Sequence, residues 1–340
     1  MKNNIFIITA AHQYLYIYDA VKKFHDNESN SLVFLNFNNK NEFIMLEKIL
    51  LDISWNNIIE IPLYKHKSLI YRYFQYKQLI MQLKKINIDH LYISQYGTSY
   101  SYLILNSIQS STKLISDDGM ALFILSKNRK NNLQKMINNT FKLKLKKILY
   151  KVYEPISLTF FTTNNIEVLS QDNILHNDLY YLKKRFLKTK VTDSLLFLGS
   201  PFVDKEMMTK EKYIELLTII FKRYKNDKII YYPHRAESIS LLNLIDKRFK
   251  NVEVYKSTGP VEFYFLLKGI PKKVISFYSG AIPNLLKLFK NNIEIDAIKI
   301  PIGFFIFDKM FHNANMVYDE YASFKIEKLQ IINIEKEKKC

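Results

Sequence analysis

Two adjacent carboxylates and a glycine, Asp117-Asp118-Gly119, follow directly on an apolar run at residues 113–116. At the end of a β-strand such a pair can hold a carboxylate toward open space, where it accepts the proton of an attacking hydroxyl. An ordinary Asp-Gly turn with a helix cap uses the same residues, and both readings stand at this point. A second group, Pro233-His234-Arg235, follows the run at 228–232. Pro233 sets the exit, His234 falls near the start of the next helix, and Arg235 adds a positive charge. That is an anion site, with an imidazole able to act as a general acid near neutral pH. The competing reading is a surface histidine, with Glu237 as a helix-start residue.

Three further loops carry small or polar residues after apolar runs. Tyr278-Ser279-Gly280 opens a helix, so backbone N–H groups and a hydroxyl can reach a phosphate, or the small residues serve packing. Thr258-Gly259-Pro260-Val261-Glu262 opens another helix. Glu262 there either suits the helix dipole or accepts hydrogen bonds from ribose hydroxyls. Gly199-Ser200-Pro201 contacts a nucleotide or turns the chain. His12 and Gln13, after the first apolar run, can line a cleft from the other side. The chain has only seven glycines, so those at strand exits (Gly119, Gly199, Gly280) are informative: glycine serves where backbone turns sharply or approaches a ligand.

The elements that must position these residues alternate between short apolar runs and longer helical patterns, the signature of parallel α/β layers. In the first half, strands are expected at residues 4–9, 32–37, 58–61, 90–94, 113–116 and 159–162, with the clearest helix at 68–85. In the second half, strands are expected at 194–198, 228–232, 252–255, 274–277 and 293–300, separated by helices at 210–224, 237–249, 261–267 and 281–289. Five strands with four helices make one doubly wound unit, in which ligands bind outside the carboxyl ends of the strands. The basic stretch at 181–192 precedes this fresh series and marks the junction. The expected organisation is a domain over 1–188, a second over 189–312 and a helical tail over 313–340, frayed beyond about Glu327.

The order of the Asp-Asp-Gly motif, the His234 loop and the Ser279 loop resembles the bacterial sialyltransferases of the GT-B type. The pattern is most similar to glycosyltransferase family 52, the lipooligosaccharide sialyltransferases, and is also similar to bacterial polysialyltransferases. The resemblance implies two Rossmann-like domains facing across a cleft, with an N-terminal acceptor side and a C-terminal nucleotide-sugar side. It implies an inverting, metal-independent transfer of sialic acid from CMP-sialic acid to a terminal sugar, galactose being the expectation. No cofactor beyond this donor substrate is implied. Asp117, with Asp118 as the close alternative, becomes the general base. His234 protonates or stabilises the departing CMP phosphate, Ser279 binds it and Glu262 holds the ribose. Gly119, Gly199, Ser200, Pro233, Arg235, Gly280, His12 and Gln13 complete the substrate-binding set. Two features depart from the pattern: the family's usual His-Pro order is reversed here, and where the Ser motif often has two hydroxyl residues, Tyr278 precedes Ser279 and Gly280 follows it. Family 52 also includes proposed glucosyltransferases. The sequence contains no DxD motif, which metal-dependent glycosyltransferases often use.

At 340 residues, 48% of them hydrophobic, the chain can build two cores, and no apolar run approaches the ~20 residues of a membrane-spanning helix. Its start reads as a buried strand rather than a cleaved leader, so a cytoplasmic place is expected. A single cysteine, Cys340, excludes an internal disulfide. The formal charge of +18 favours anionic partners, although a Lys-, Asn- and Ile-rich composition produces it by default. Residues 127–151 carry nine basic residues and no acid: Lys127, Arg129, Lys130, Lys135, Lys142, Lys144, Lys146, Lys147 and Lys151. With interleaved Leu, Ile and Phe this is either a basic amphipathic helix lying on the anionic inner face of a membrane, where a lipid-linked glycan acceptor would be presented, or a solvated helix face. No nucleic-acid module is recognisable and no nucleic acid is expected. Another nucleotide-sugar donor such as a hexose nucleotide, a non-catalytic binding protein of the same fold, and an RNA-binding protein are the alternatives.

Overall fold

A computed structural model describes residues 2–36, 40–50, 53–63, 69–117, 122, 129, 151, 153–256, 259–289 and 292–334. The chain divides into two compact units, Met1–Arg185 and Phe186–Cys340.

The first unit contains β1 (Asn3–Ile8), α1 (Gln13–Phe24), β2 (Ser29–Asn36), α2 (Lys40–Glu47), β3 (Asn57–Pro62), α3 (Leu69–Leu83), β4 (His90–Ile93), α4 (Ser99–Ser107), β5 (Thr112–Ser116), β6 (Thr159–Thr162), β7 (Asn173–His176) and most of α5 (Tyr180–Phe186). Its seven strands pair in the order β3-β2-β1-β4-β5-β6-β7, all parallel. Ile5, Phe6, Ile7 and Ile8 of β1 are each at most 1% exposed, because helices cover both faces of a parallel sheet and its strands read as continuous apolar runs. The direction of the chain reverses between β1 and β4, so the exits of those strands flank the topological switch point.

The second unit contains β8 (Val191–Leu198), α6 (Lys210–Arg223), β9 (Ile229–Tyr232), α7 (Ile239–Arg248), β10 (Val252–Val254), α8 (Val261–Lys268), β11 (Ile270–Ser276), α9 (Ala281–Phe289), β12 (Glu294–Lys299), α10 (Asp308–Ser323) and β13 (Leu329–Asn333). The strand order is β10-β9-β8-β11-β12-β13, again all parallel, with the reversal between β8 and β11. The helices follow their apolar spacing. In α6, Tyr213, Ile214, Leu216, Leu217, Ile220 and Phe221 face inward, and the Thr209 side chain caps the helix by accepting from Lys212 N at 3.3 Å.

Two strands depart from the sequence expectation. β7 has all four residues exposed, and its two apolar residues, Ile174 and Leu175, are too short a run to announce it; it is fixed by its pairing with β6, Thr159 opposite Asn173 through Thr162 opposite His176. β13 falls where the tail was expected to be helical or frayed. It adds a sixth strand to the second sheet by pairing with β12, Ile295 opposite Leu329 through Lys299 opposite Asn333. The helix expected from residue 237 begins at Ile239, with Ser238 at its N-cap, and this leaves Glu237 in the preceding loop.

Arg129, counted with the basic residues of 127–151, is a further correction. It is 1% exposed and donates to both carboxylate oxygens of Asp172 at 2.7 Å, to Ile156 O at 3.1 Å and to Glu154. A buried guanidinium is tolerated only with such partners, so this residue serves the interior. The rest of 127–151, apart from Lys151, lies outside the described residues.

Candidate active site

The described candidate residues of the first unit, Asp117, His12 and Gln13, lie at strand exits. Asp117, directly after β5, is fully buried. Its Oδ2 accepts from Thr163 N and Thr163 Oγ1, each at 2.7 Å, and its Oδ1 accepts from Asn164 Nδ2 at 3.0 Å. These donors belong to the loop after the adjacent β6, so Asp117 ties two neighbouring exits together. Asp118 and Gly119 lie outside the described residues. Gln13 is 1% exposed and turned inward: its Oε1 accepts from Thr9 N at 2.7 Å and Ala10 N at 3.2 Å, closing the turn between β1 and α1. His12 sits half-buried at the N-cap position of α1 and makes no capping hydrogen bond.

In the second unit, the exits of β9, β8 and β11 are consecutive across the sheet. With strands about 4.8 Å apart, the three loops span roughly 10 Å at the switch point. Pro233 is buried, His234 half-buried and Arg235 exposed. His234 Nδ1 accepts from Ala236 N at 3.1 Å, so the proton of the neutral ring sits on Nε2 and that atom is a donor. Burial, then the charges of Arg235 and Lys205, push the imidazole below its ordinary pKa of 6.5, which keeps it neutral at neutral pH.

Glu237 holds this loop. It is 8% exposed; its Oε2 accepts from His234 N at 2.6 Å, and its Oε1 accepts from Tyr231 OH at 2.5 Å and Tyr213 OH at 3.5 Å. Burial raises its carboxyl to about 7 despite these donors. Tyr213 OH and Tyr231 OH lie 2.8 Å apart, and Tyr213 OH also accepts from Ser200 N at 3.4 Å, so the loops after β8 and β9 share one buried network. Gly199 lies against it: a Cβ there would stand 2.2 Å from Glu237 Oε2 and 2.7 Å from Tyr231 OH. The signal for Glu237 was its position three residues beyond His234, the spacing at which a side chain reaches back to a backbone N–H. Reading it as a helix residue concealed that.

After β11, Ser279 N donates to Tyr321 OH at 2.9 Å, and Tyr321 OH donates back to Ser279 O at 2.8 Å. Ser279 Oγ accepts from Ala281 N at 3.2 Å, which leaves its hydroxyl proton to be donated. Tyr321 comes from α10, and no local motif announces it. Gly280 has nothing within 4 Å of the position a Cβ would occupy, so its backbone is open to approach. Glu262 sits in the first turn of α8 and is 4% exposed. Close by, Tyr232 OH donates to Gly259 O at 3.1 Å, and the Tyr232 ring stacks on Tyr255 with centroids 5.5 Å apart. Thr258 lies outside the described residues.

No protein-family model and no curated protein matches the chain. Solved structures do. The alpha/beta-galactoside alpha-2,3-sialyltransferase of Photobacterium phosphoreum is 14% identical with a TM-score of 0.51, over 97% of this chain and 98% of that one. The UDP-GlcNAc 2-epimerase of Methanocaldococcus jannaschii, in complex with UDP-GlcNAc and UDP, is 14% identical with a TM-score of 0.52, over 98% of this chain and 89% of that one. MnaA of S. aureus in complex with UDP is 13% identical with a TM-score of 0.53, over 95% of this chain and 89% of that one. Together with the two parallel sheets, these likenesses show the fold: the chain has the GT-B fold, two Rossmann-like α/β units in tandem.

Proposed function

We propose that this chain is an inverting glycosyltransferase that moves sialic acid from CMP-sialic acid to a terminal sugar, galactose being the first candidate, of a lipid-linked or capsular glycan. The observation that carries the reading is the His234 loop. A neutral imidazole with its Nε2 proton directed by Ala236 N–H stands at the switch-point edge, two strands from Ser279 and the open backbone of Gly280. Hydrogen-bond donors held there are suited to a phosphate that gains charge as its bond to the sugar breaks. In the reaction the acceptor hydroxyl gives its proton to a carboxylate, the new bond forms at the anomeric carbon, and the electron pair of the breaking bond leaves with the CMP phosphate. His234 Nε2–H and the Ser279 hydroxyl stabilise that oxygen. Because both oxygens of Asp117 already accept hydrogen bonds from the β6 exit loop, we assign the base to Asp118 and the positioning of the loop to Asp117. Arg235, exposed in the same loop, adds positive charge to this edge for an anionic donor.

The test is release of CMP from CMP-sialic acid by purified protein with a galactose-terminated acceptor, with and without EDTA. Acceptor-dependent, EDTA-resistant release that is lost in His234→Ala supports the proposal. Turnover of a hexose or N-acetylhexosamine nucleotide instead would overturn the donor and keep a glycosyltransferase; the UDP complexes among the similar folds make those donors the next to try.

A further inference from the structure

The edge of the first sheet opposite its strand exits gathers a different set of side chains. His25 is the C-cap of α1, Glu28 immediately precedes β2, and His90 opens β4. One ligand atom from each lies within 4.8 Å of the other two. We propose that His25, Glu28 and His90 form a binding site for a divalent transition-metal ion of the Zn²⁺ class, which fastens the end of α1 to the starts of β2 and β4.

Two imidazoles and one carboxylate are the donors that suit a borderline ion such as Zn²⁺, and three protein donors leave a fourth position for water. The partly exposed His90 and Glu28 give that position access to solvent. The surrounding contacts are those that hold metal ligands in orientation. His25 Nδ1 lies 2.6 Å from Glu28 Oε2, while its other nitrogen, Nε2, is 2.9 Å from Tyr92 OH. Glu28 Oε2 also accepts from Asn4 Nδ2 at 2.9 Å. A ligating histidine bonded through its second nitrogen and a ligating carboxylate bonded to an amide are recurrent features of metal sites. Burial lowers the pKa of both His25 and His90, so each ring is neutral and able to bind a cation. A His25–Glu28 hydrogen bond by itself accounts for those two residues. It does not account for the His90 ring, whose centroid lies 4.8 Å from that of His25. The facing charges are Asp89, which favours a cation, and Lys2, which opposes one.

The experiment is titration of EDTA-treated, desalted full-length protein with Zn²⁺, followed by calorimetry and by thermal unfolding. Co²⁺ absorption supplies the coordination geometry. The expected result is one ion per chain, a higher Tm and intense visible Co²⁺ bands. His90→Ala and Glu28→Gln each remove a direct ligand and should weaken binding by more than the roughly 10–100-fold that loss of an outer-shell partner costs, while leaving the metal-free Tm near wild type; Lys2→Ala should tighten it. No stoichiometric binding, or equal binding in wild type and His90→Ala, overturns the site. None of these readouts depends on which nucleotide sugar the protein uses.

Discussion

His234 owes its hydrogen-bonding sense to one backbone amide, Ala236 N–H, which occupies Nδ1 and leaves Nε2 as the donor. If that donor stabilises the leaving phosphate, His234→Ala lowers kcat by about 100-fold or more with little change in KM, measured by CMP release. The same geometry sets the sign of the pH effect. The folded pKa lies below 6.5, so the neutral ring persists through that pH, and the loss of rate from its protonation falls on the acidic side of 6.5. Asp117 and Asp118 differ in readout. Asp117→Asn disturbs a buried acceptor of three hydrogen bonds and should destabilise the first unit by about 1–3 kcal/mol in urea unfolding. If Asp118 is the base, Asp118→Asn should abolish turnover, read by CMP release. Gly280→Ala adds a methyl group into open space. It should leave Tm unaltered and weaken nucleotide binding if a phosphate approaches that backbone.

Among the elements, the loop between β9 and α7 is fixed by Glu237, and the consequence is a pH-dependent stability. Its carboxyl is raised from 4.5 to about 7, so the folded state binds its proton more tightly than the unfolded state does. The contribution is therefore full below about 4.5 and is lost as pH rises through about 7. Relative to Glu237→Gln, wild type should lose about 3 kcal/mol across that window, read from urea unfolding at each pH. Gly199→Ala drives a methyl group into the same carboxylate and should cost about 1–3 kcal/mol, with a loss of activity beyond the loss of stability because the His234 loop moves with Glu237. Arg129 joins Glu154 and Asp172, which belong to segments on either side of β6. Its removal leaves two buried carboxylates without their cation, and Arg129→Ala should destabilise the first unit by about 3–5 kcal/mol.

For the whole molecule, two parallel sheets with the same reversal of strand order each present an edge of strand exits, and the described candidate residues of each unit lie at those edges. No helix among the described residues is long and apolar enough to cross a membrane. The charge of +18 makes contact with an anionic surface an electrostatic matter. If a lipid-linked acceptor is met there, sedimentation with anionic vesicles should be strong at low salt, weak with neutral vesicles and reduced as salt shortens the Debye length. Retention on RNA of equal strength, without sugar-nucleotide binding, would favour the nucleic-acid alternative.

The alternation of apolar runs with helical spacing was enough to define parallel α/β layers and most strands of both sheets, because a strand buried on both faces writes its burial into consecutive residues. Strand-exit loops were legible for the same reason: they are the polar residues directly after such runs. β7 and β13 were not, since each is a short edge strand with few apolar residues, fixed by the hydrogen bonds of its one neighbour. The tertiary structure alone decided which polar residues face inward. Gln13 and Asp117 became acceptors for backbone and loop donors, and Arg129 left the basic run for two carboxylates. Glu237 became the support of His234, and Tyr321 reached Ser279 from 42 residues away. Local sequence records how apolar a segment is; the partner of a buried polar group comes from wherever the chain returns, and only the folded packing specifies it.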